Sequence, residues 1–353
     1  MRTSHRFAVM LAVDRSMFAP AVFTAHSALS GTPKSPFDLI IAVPQNAIPR
    51  TWIDYAETQV GATVREVPFD RHLSSARTIN RYPPSALYRY FFNQFLDSGY
   101  RKVIYLDADI RAVGDISVLF DLDLEGQPFA AAPDVSIHSD VFGQWRSYLA
   151  GLGLDETACY ANTGVLVIDP HRWAMQNMSE RILTYLSKHP DACHMVDQSA
   201  LNALVRGEFL KLSPVWNMMS RVWFGLNLAD LVHPVVFHYS GANKPWRPLT
   251  WRHERAVSDL YRDFFRHTPW PDAVSWLGTF AEWLQFLTFR RQTILRRLRG
   301  APSFKPVPAQ SVLKFRQFLQ TVSFADVRQG LATWQPDGSL RAARQSYPAS
   351  ASH

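Results

Sequence analysis

The chain has 353 residues, with 37 Lys and Arg against 30 Asp and Glu, a formal net charge of +7. A hydrophobic fraction of 47% excludes a disordered or collagen-like chain, and a chain of this length buries enough apolar surface to fold without disulfide or metal staples. Two cysteines are too few for a secreted disulfide framework, which predicts a reducing, cytoplasmic location. No apolar run reaches the roughly 18 residues that a membrane-spanning helix needs.

The first apolar run, residues 7–13, is predicted to form a buried strand. Arg2 and Arg6 before it give the N-terminus a superficial likeness to a signal peptide. Asp14 and Arg15 end the run at the lower limit of a signal core, so a strand is the better interpretation.

Short apolar runs rich in Val, Ile and Phe alternate with helix-length segments along the chain to about residue 250. This alternation is typical of a parallel sheet covered by helices, and it predicts one α/β unit with a continuous core. The predicted strands are 7–13, 37–43, 62–69, 103–106, 129–133, 164–168, 210–212 and 235–238. The predicted helices are 20–29, 50–60, 85–96, 179–189 and 198–205.

The composition changes after Pro269. Apolar and aromatic residues recur at helical spacing between residues 276 and 298 with arginines among them, and a second apolar and basic stretch spans 312–322. Such a segment either lies in an anionic membrane surface or packs on the main domain with its arginines solvated. We therefore predict a main domain at 1–270, a helical basic and aromatic extension at 271–334, and a disordered tail at 335–353.

The sharpest local feature is the sequence Asp107-Ala108-Asp109 after the predicted strand 103–106. Carboxylates two residues apart on a strand project to the same side, here at the carboxyl end where open α/β sheets bind ligands. Two aspartates so close repel each other unless a cation lies between them. The pattern predicts a divalent-metal site that faces a phosphate; the alternative is a solvated turn at the strand end.

A second feature is His238, which ends the predicted strand 235–238 shortly before Gly241 and Lys244. An imidazole added to two carboxylates suits Mn²⁺ better than Mg²⁺ or Ca²⁺. A glycine lets the backbone approach a diphosphate, and a lysine offers it a compact positive charge. The alternative interpretation is a satisfied core histidine.

Two further polar clusters are Asn162-Thr163-Gly164 before a predicted strand and Asp197-Gln198 at a predicted helix start. Each is equally typical of turn and cap chemistry. A zinc site built from His189, Cys193, His194 and Asp197 fits no known spacing. Gly-rich dinucleotide, P-loop and serine-hydrolase motifs are absent from the sequence, and no motif supports nucleic-acid binding.

Taken in order, these clusters form a series that is more informative than any member. It consists of Ala12-Val13-Asp14, Arg89, Tyr105-Leu106-Asp107-Ala108-Asp109, Asn162-Thr163-Gly164, Asp197-Gln198, and His238-Tyr239-Ser240-Gly241 with Lys244-Pro245-Trp246. The series resembles family 8 of the retaining glycosyltransferases, which includes glycogenin and bacterial lipopolysaccharide galactosyl- and glucosyltransferases. The resemblance covers roughly residues 5–250, and its last segment is the most specific.

The resemblance implies a single GT-A-type, Rossmann-like nucleotide-sugar domain with a mixed central sheet. It also implies a role for each matching residue. Metal ligands for Mn²⁺ or Mg²⁺ would be Asp107, Asp109 and His238, and UDP contacts would be Ala12, Asp14, Ala108, Gly241 and Lys244. The donor sugar would be lined by Arg89, Asn162, Asp197 and Gln198, the last two being the candidate catalytic residues beside the anomeric carbon, and the acceptor would lie near Asp134 and Ser240.

The implied activity is transfer of glucose or galactose from a UDP-sugar, with retention of configuration, to a glycan or a lipid-linked acceptor such as lipopolysaccharide. A lipid-linked acceptor would place the enzyme peripherally on the inner face of the bacterial cytoplasmic membrane. Two alternatives are a metal-dependent nucleotidyltransferase or sugar-phosphate enzyme on a similar sheet, and a non-catalytic glycan-binding relative.

Overall fold

A computed structural model describes residues 6–32, 36–69, 84–139, 145–241, 244–246, 255–270 and 309–343, with the single positions 284, 287, 288, 291, 294 and 295. The predicted amphipathic stripe between 276 and 298 therefore lies mostly outside the described residues, as does the chain after residue 343. No helix in the described part of the chain combines the length and apolar character that crossing a membrane requires.

A seven-stranded sheet of order β3-β2-β1-β4-β7-β6-β8 forms the centre of the structure. Strands β1 to β4 run parallel, whereas β7 is antiparallel to both β4 and β6, so the sheet is mixed. A second sheet of order β5-β10-β9 lies beyond the end of β4. The strands are β1 Phe7–Ala12, β2 Asp38–Pro44, β3 Thr63–Val67, β4 Lys102–Leu106, β5 Ile110–Ala112, β6 Phe129–Pro133, β7 Ala161–Ile168, β8 Leu210–Lys211, β9 Met218–Met219, β10 Val236–His238, β11 Ala332–Trp334 and β12 Leu340–Ala342.

Helices cover the sheet, as the alternation of the sequence predicts. The α-helices are α1 Phe18–Ser30, α2 Arg50–Tyr55, α3 Val135–His138, α4 Trp145–Gly151, α5 Pro170–Met175, α6 Met178–Lys188, α7 Asp197–Val205, α8 Ser220–Gly225, α9 Arg255–Phe265, α10 Ala309–Thr321 and α11 Ala325–Arg328. The predicted helix at 85–96 is a 3₁₀ segment, Pro84–Gln94, interrupted by non-helical backbone at Phe91. The predicted helix at 50–60 changes from α to π geometry at Ala56.

Strand β1 shows why its sequence is continuously apolar. Val9 and Leu11 join a hydrophobic cluster on one face of the sheet, whereas Ala8 and Met10 join a cluster on the other face. All four side chains are fully buried. A strand covered on both faces needs apolar residues at every position, which separates it from a half-exposed strand with alternating polarity.

The C-terminal segment packs into the main domain. Phe315 and Leu319 of α10 belong to the same cluster as Val9 and Leu11, and Leu340 of β12 is also fully buried there. Composition assigns residues 309–334 to an extension, yet they share the core of the main domain. The prediction of disorder from residue 335 is wrong as far as residue 343, because β12 pairs with β11 and one buried leucine anchors a segment of otherwise polar composition.

His138 joins this segment to the main domain. Its ring stacks on Phe318 of α10 with centroids 4.2 Å apart, and its Nε2 accepts a hydrogen bond of 3.1 Å from the Tyr160 amide. Burial lowers the pKa of His138 to about 4.

The lowered pKa predicts a loss of stability in acid. The unfolded chain binds a proton at His138 below its usual pKa of 6.5, whereas the folded chain resists it down to about 4, so stability falls as pH drops through this range. When the pH is lowered, the free energy of unfolding should fall by on the order of 2 kcal/mol less in His138→Gln than in the wild type. Urea denaturation at neutral and acidic pH measures it, with exposed His171→Gln as the control. An acid-induced loss as large in His138→Gln as in the wild type would contradict the assignment.

Candidate functional site

The site is built on the turn that joins β4 to β5. Asp107 follows the last residue of β4, and its amide donates to the Gly164 carbonyl of β7 at 2.9 Å. The Ala108 carbonyl accepts a hydrogen bond of 2.9 Å from the hydroxyl of buried Thr24 on α1. The turn is therefore held from both sides, and its two aspartates have fixed backbone positions.

The antiparallel pairing of β10 with β5 brings the distant histidine to this turn. His238 lies opposite Ile110 in the register, and the amide of Tyr239 donates to the Asp109 carbonyl at 2.8 Å. The Nε2 atom of His238 is 3.3 Å from an Asp109 oxygen and 3.7 Å from an Asp107 oxygen. Three potential metal ligands thus meet in one place, each offering an atom within 4.8 Å of the others.

Gly164 makes room for the histidine ring. A Cβ atom at this position would lie 2.3 Å from His238 Cε1 and 2.6 Å from Nδ1, closer than any real contact allows. The glycine is needed for the close approach of a side chain, since its φ lies in an ordinary region. The imidazole lies directly against the backbone of β7.

Two cations neutralise the carboxylate pair. Lys244 forms an ion pair with Asp109, and Arg89 forms one of 2.9 Å with Asp107. Burial alone would raise the pKa of Asp109, but Lys244 and His238 outweigh it and hold the pKa well below its usual range. Burial lowers the pKa of His238, but the negative charge of Asp109 raises it by more, so the net shift of the His238 pKa is upward.

Arg89 connects this group to Asp197. Its guanidinium lies 3.5 Å from an Asp197 oxygen, donates to the Thr163 carbonyl at 2.9 Å and stacks over the Tyr105 ring. Asp197 also accepts a 2.9 Å hydrogen bond from the Tyr90 hydroxyl. Burial raises the pKa of Asp197, and Arg89 opposes that increase. Asp197, the first residue of α7, is thus a deeply buried carboxylate that is already paired with Arg89 and Tyr90.

A second polar group surrounds Asp134. Its Oδ2 accepts hydrogen bonds from Asn162 at 2.9 Å and from Gln198 at 3.1 Å, while the Oε1 atom of Gln198 accepts from the Thr163 amide. Asn162 lies inside β7, although the sequence pattern places it before the strand. Asp134, Asn162 and Gln198, separated along the chain, therefore form one hydrogen-bonded cluster.

The remaining predicted residues lie at the margins of the site. Ala12 ends β1, two residues after Met10, which pairs with Tyr105 of β4. Asp14 caps a 3₁₀ turn and accepts from the Ser85 hydroxyl at 2.6 Å. Gly241 has φ = +94°, which favours glycine, and Ser240 immediately precedes it.

Two residues of the site do not stand out in the sequence. Tyr90 holds Asp197, and Asn217 donates and accepts between His238 and Asn162. Asn217 lies alone among the apolar residues Val215, Trp216, Met218 and Met219. A single amide inside an apolar run is the signal that could have identified it, because a buried amide needs a defined partner.

The side chains present fit a divalent cation of the Mn²⁺ class. Two carboxylates and one imidazole form a mixed oxygen and nitrogen donor set. Asp109 and His238 are buried and Asp107 is largely so, and the glycine at position 164 leaves the space that the ring occupies. Among the described residues, the potential metal ligands that lie together are Asp107, Asp109 and His238.

Sequence comparison matches residues 9–250 to the family described as Glycosyl transferase family 8. Lipopolysaccharide 1,2-glucosyltransferase of Escherichia coli (strain K12) is 29% identical over 195 residues, which are 52% of this chain and 55% of that protein. General stress protein A of Bacillus subtilis (strain 168) is 28% identical over 187 residues, 49% of this chain and 62% of that protein. The chain thus spans less than two thirds of the length of either relative.

A solved structure shares the fold. Galactosyltransferase LgtC in complex with donor and acceptor sugar analogs superposes with a TM-score of 0.61 at 21% identity, covering 72% of this chain and 95% of that chain. The likeness confirms the predicted α/β fold of the GT-A type with a mixed central sheet.

The space at Gly164 gives a direct test of the site. Gly164→Ala forces the His238 ring to move, and we expect Mn²⁺ affinity to fall at least about tenfold in isothermal titration calorimetry, because a displaced ligand binds poorly. Gly151→Ala is the matched control, since a Cβ atom there meets nothing within 4 Å. Unchanged Mn²⁺ affinity in Gly164→Ala would show that His238 does not bind the ion.

Proposed function

The chain belongs to glycosyl transferase family 8, and on this premise we propose that it is a retaining hexosyltransferase. The proposed reaction moves glucose or galactose from a UDP-sugar to a glycan or a lipid-linked acceptor such as lipopolysaccharide. Family membership implies a nucleotide-sugar donor and an acceptor, and it disfavours the nucleotidyltransferase alternative. The Escherichia coli relative is a lipopolysaccharide 1,2-glucosyltransferase, which supports the choice of hexose and acceptor.

The observation that carries the proposal is the convergence of Asp107, Asp109 and His238 beside Lys244. When bound by these three side chains, Mn²⁺ or Mg²⁺ would supply positive charge to the diphosphate leaving group. Lys244 lies against Asp109, close enough to offer the diphosphate a second positive charge. The left-handed backbone at Gly241 supports close approach of the main chain to the same group.

The nucleotide is proposed to lie along the carboxyl ends of β1 and β4. Ala12 and Asp14 at the end of β1 would hold the uridine, and Ala108 lies in the turn between the two metal-binding aspartates. Ligands of open α/β sheets bind outside the carboxyl ends of the strands, which supports this placement.

Arg89 and Asp197 are proposed to orient the donor sugar. In the reaction, the bond from the anomeric carbon to the diphosphate oxygen breaks with its electron pair on that oxygen. The acceptor oxygen bonds to the same carbon, and its proton passes to the departing diphosphate oxygen. Asp197 is engaged by Arg89 and by the Tyr90 hydroxyl, and Gln198 is a neutral amide. These contacts favour a positioning role for both residues over formation of a covalent intermediate with either of them. The acceptor would then attack the anomeric carbon on the same face from which the diphosphate leaves.

Asp134 and Ser240 are proposed to lie near the acceptor. Asp134 accepts from both Asn162 and Gln198, which connects the acceptor side of the site to the residues proposed to line the sugar. This connection would let acceptor and donor be held by one rigid polar group.

We also propose that the enzyme works at an anionic membrane surface. Leu284, Leu287, Ile294 and Leu295 are in helical conformation and expose 38% to 50% of their surface. Arginines flank them in the sequence, a composition typical of interfacial helices. A lipid-linked acceptor would bring the enzyme to such a surface.

The metal assignment predicts the effect of removing one charge. Asp109→Asn keeps the shape of the side chain but weakens the ligand, so Mn²⁺-dependent release of UDP from UDP-glucose or UDP-galactose should fall at least about 100-fold. Asp263→Asn, at an exposed position, should retain wild-type activity. Full activity of Asp109→Asn would contradict the proposed metal site. Release of pyrophosphate from a nucleoside triphosphate would favour the nucleotidyltransferase instead.

The membrane proposal predicts binding to anionic vesicles. Deleting the chain from residue 271 is unsuitable because residues 309–343 form part of the core, so we choose Leu284→Ser with Leu287→Ser. Each leucine contributes about 1 kcal/mol, so binding in a sedimentation assay should weaken about tenfold or more. Leu260→Ser, with an exposed leucine on α9, is the control. Absence of wild-type binding, or equal binding of the double variant, would reject the proposal.

A further inference from the structure

We infer that Asn217 is a positioning residue that fixes the tautomer of His238, so that Nε2 is the atom free to bind a cation. The inference deepens the proposed function, since it concerns the same metal site. It depends on a chain of hydrogen bonds that begins at the Asp134 carboxylate and ends at the imidazole. The polarity of each hydrogen bond follows from the one before it.

The first step orients Asn162. The Asp134 Oδ2 atom only accepts hydrogen bonds, so the Asn162 atom that lies 2.9 Å from it must be the amide nitrogen. The opposite end of the same side chain lies 2.9 Å from the Gly164 backbone amide, which only donates. Both neighbours therefore give the same orientation, with Asn162 Oδ1 directed away from Asp134.

The second step orients Asn217. Its side chain lies 2.9 Å from Asn162 Oδ1, so the atom at this end is the nitrogen that donates. The Oδ1 atom of Asn217 then faces the imidazole and lies 3.1 Å from His238 Nδ1. Both asparagines are buried, exposing 4% and 1% of their surface.

The third step gives the tautomer. An amide oxygen only accepts hydrogen bonds, so His238 Nδ1 must carry a proton to satisfy it. In a neutral imidazole, a proton on Nδ1 leaves the lone pair on Nε2, which is the atom 3.3 Å from Asp109 and 3.7 Å from Asp107. A histidine that binds a metal through one nitrogen commonly donates the other N–H to an oxygen acceptor, which fixes its ring.

The turn before Asn217 is held by a residue of the C-terminal segment, which lies outside the part of the chain that matches the family. Asn217 follows the 3₁₀ turn Pro214–Trp216, and its backbone N–H donates to the Pro214 carbonyl at 3.2 Å. Asp326 of α11 is fully buried and accepts from the Ser213 amide, the Ser213 hydroxyl and the Trp216 indole at 2.6 to 2.9 Å. The C-terminal segment thus fixes the turn that delivers Asn217 to the histidine.

The wild-type protein gives the first test. With ¹⁵N-labelled histidine, a long-range ¹H–¹⁵N correlation spectrum in alkaline buffer distinguishes Nδ1–H from Nε2–H, and comparison with His238→Gln assigns the signal of His238. We expect the proton on Nδ1. A proton on Nε2 would overturn the inference whether or not any variant folds.

Two variants give the second test. Asn217→Leu removes the acceptor, and we expect Mn²⁺ affinity in calorimetry to fall about 10- to 100-fold, with loss of the Nδ1–H tautomer preference. Asn217→Asp retains an acceptor for Nδ1–H but places a second acceptor oxygen against Asn162 Oδ1, so we expect the affinity to fall less than in Asn217→Leu while the Nδ1–H tautomer is kept. Equal losses in both variants would indicate a packing role, and wild-type affinity in Asn217→Leu would also overturn the inference. Asn93→Leu, at an exposed position, controls for the substitution itself.

The outcomes separate this inference from the proposed function. If wild-type protein binds no Mn²⁺ while His238 carries its proton on Nδ1, the proposed metal site fails and the role of Asn217 in fixing the tautomer stands. If Mn²⁺ binds and the proton lies on Nε2 in the metal-free protein, the proposed metal site stands and the role of Asn217 fails.

Discussion

The main electrostatic constraint on the structure is that Asp107 and Asp109 lie side by side where water has little access. Arg89 and Lys244 neutralise them in the described structure, and His238 completes the group. Buried carboxylates are tolerated only with such partners, so the surrounding elements must bring cations to the end of β4. In the proposed function, a divalent cation held by Asp107, Asp109 and His238 would supply the positive charge that Lys244 gives to Asp109 in the described structure.

Buried hydrogen bonds link the proposed metal site to the proposed sugar site. Asn217 links His238 to Asn162, and Asn162 shares the Asp134 carboxylate with Gln198. A buried polar network in which each donor has an acceptor is rigid, and it costs free energy when any member is removed. Asn217 therefore connects the two sites through hydrogen bonds.

Much of the fold could be predicted from the sequence. The continuous apolar runs of β1, β2 and β4 indicate strands that are buried on both faces. Family 8 membership and the GT-A fold, expected from the order of the polar clusters, are confirmed. The meeting of Asp107, Asp109 and His238 also follows from those clusters. The ligand roles of individual residues remain predictions.

Other features could not be read from the sequence because they depend on long-range contacts. The short strands β5 and β9 carry few residues and form only by pairing with β10. The ordered end of the chain depends on the burial of Leu340, which its polar composition conceals. Asn217 has no motif around it, and its role appears only when β9 and β10 lie together.

One cation is proposed to bind between the two aspartates and the Nε2 atom of His238. Anomalous diffraction from crystals soaked with Mn²⁺ and UDP tests it most directly. We expect a single strong manganese peak within coordination distance of Asp107, Asp109 and His238 Nε2, with the diphosphate on its open side. A peak elsewhere, or a peak whose ligands exclude His238, would contradict it.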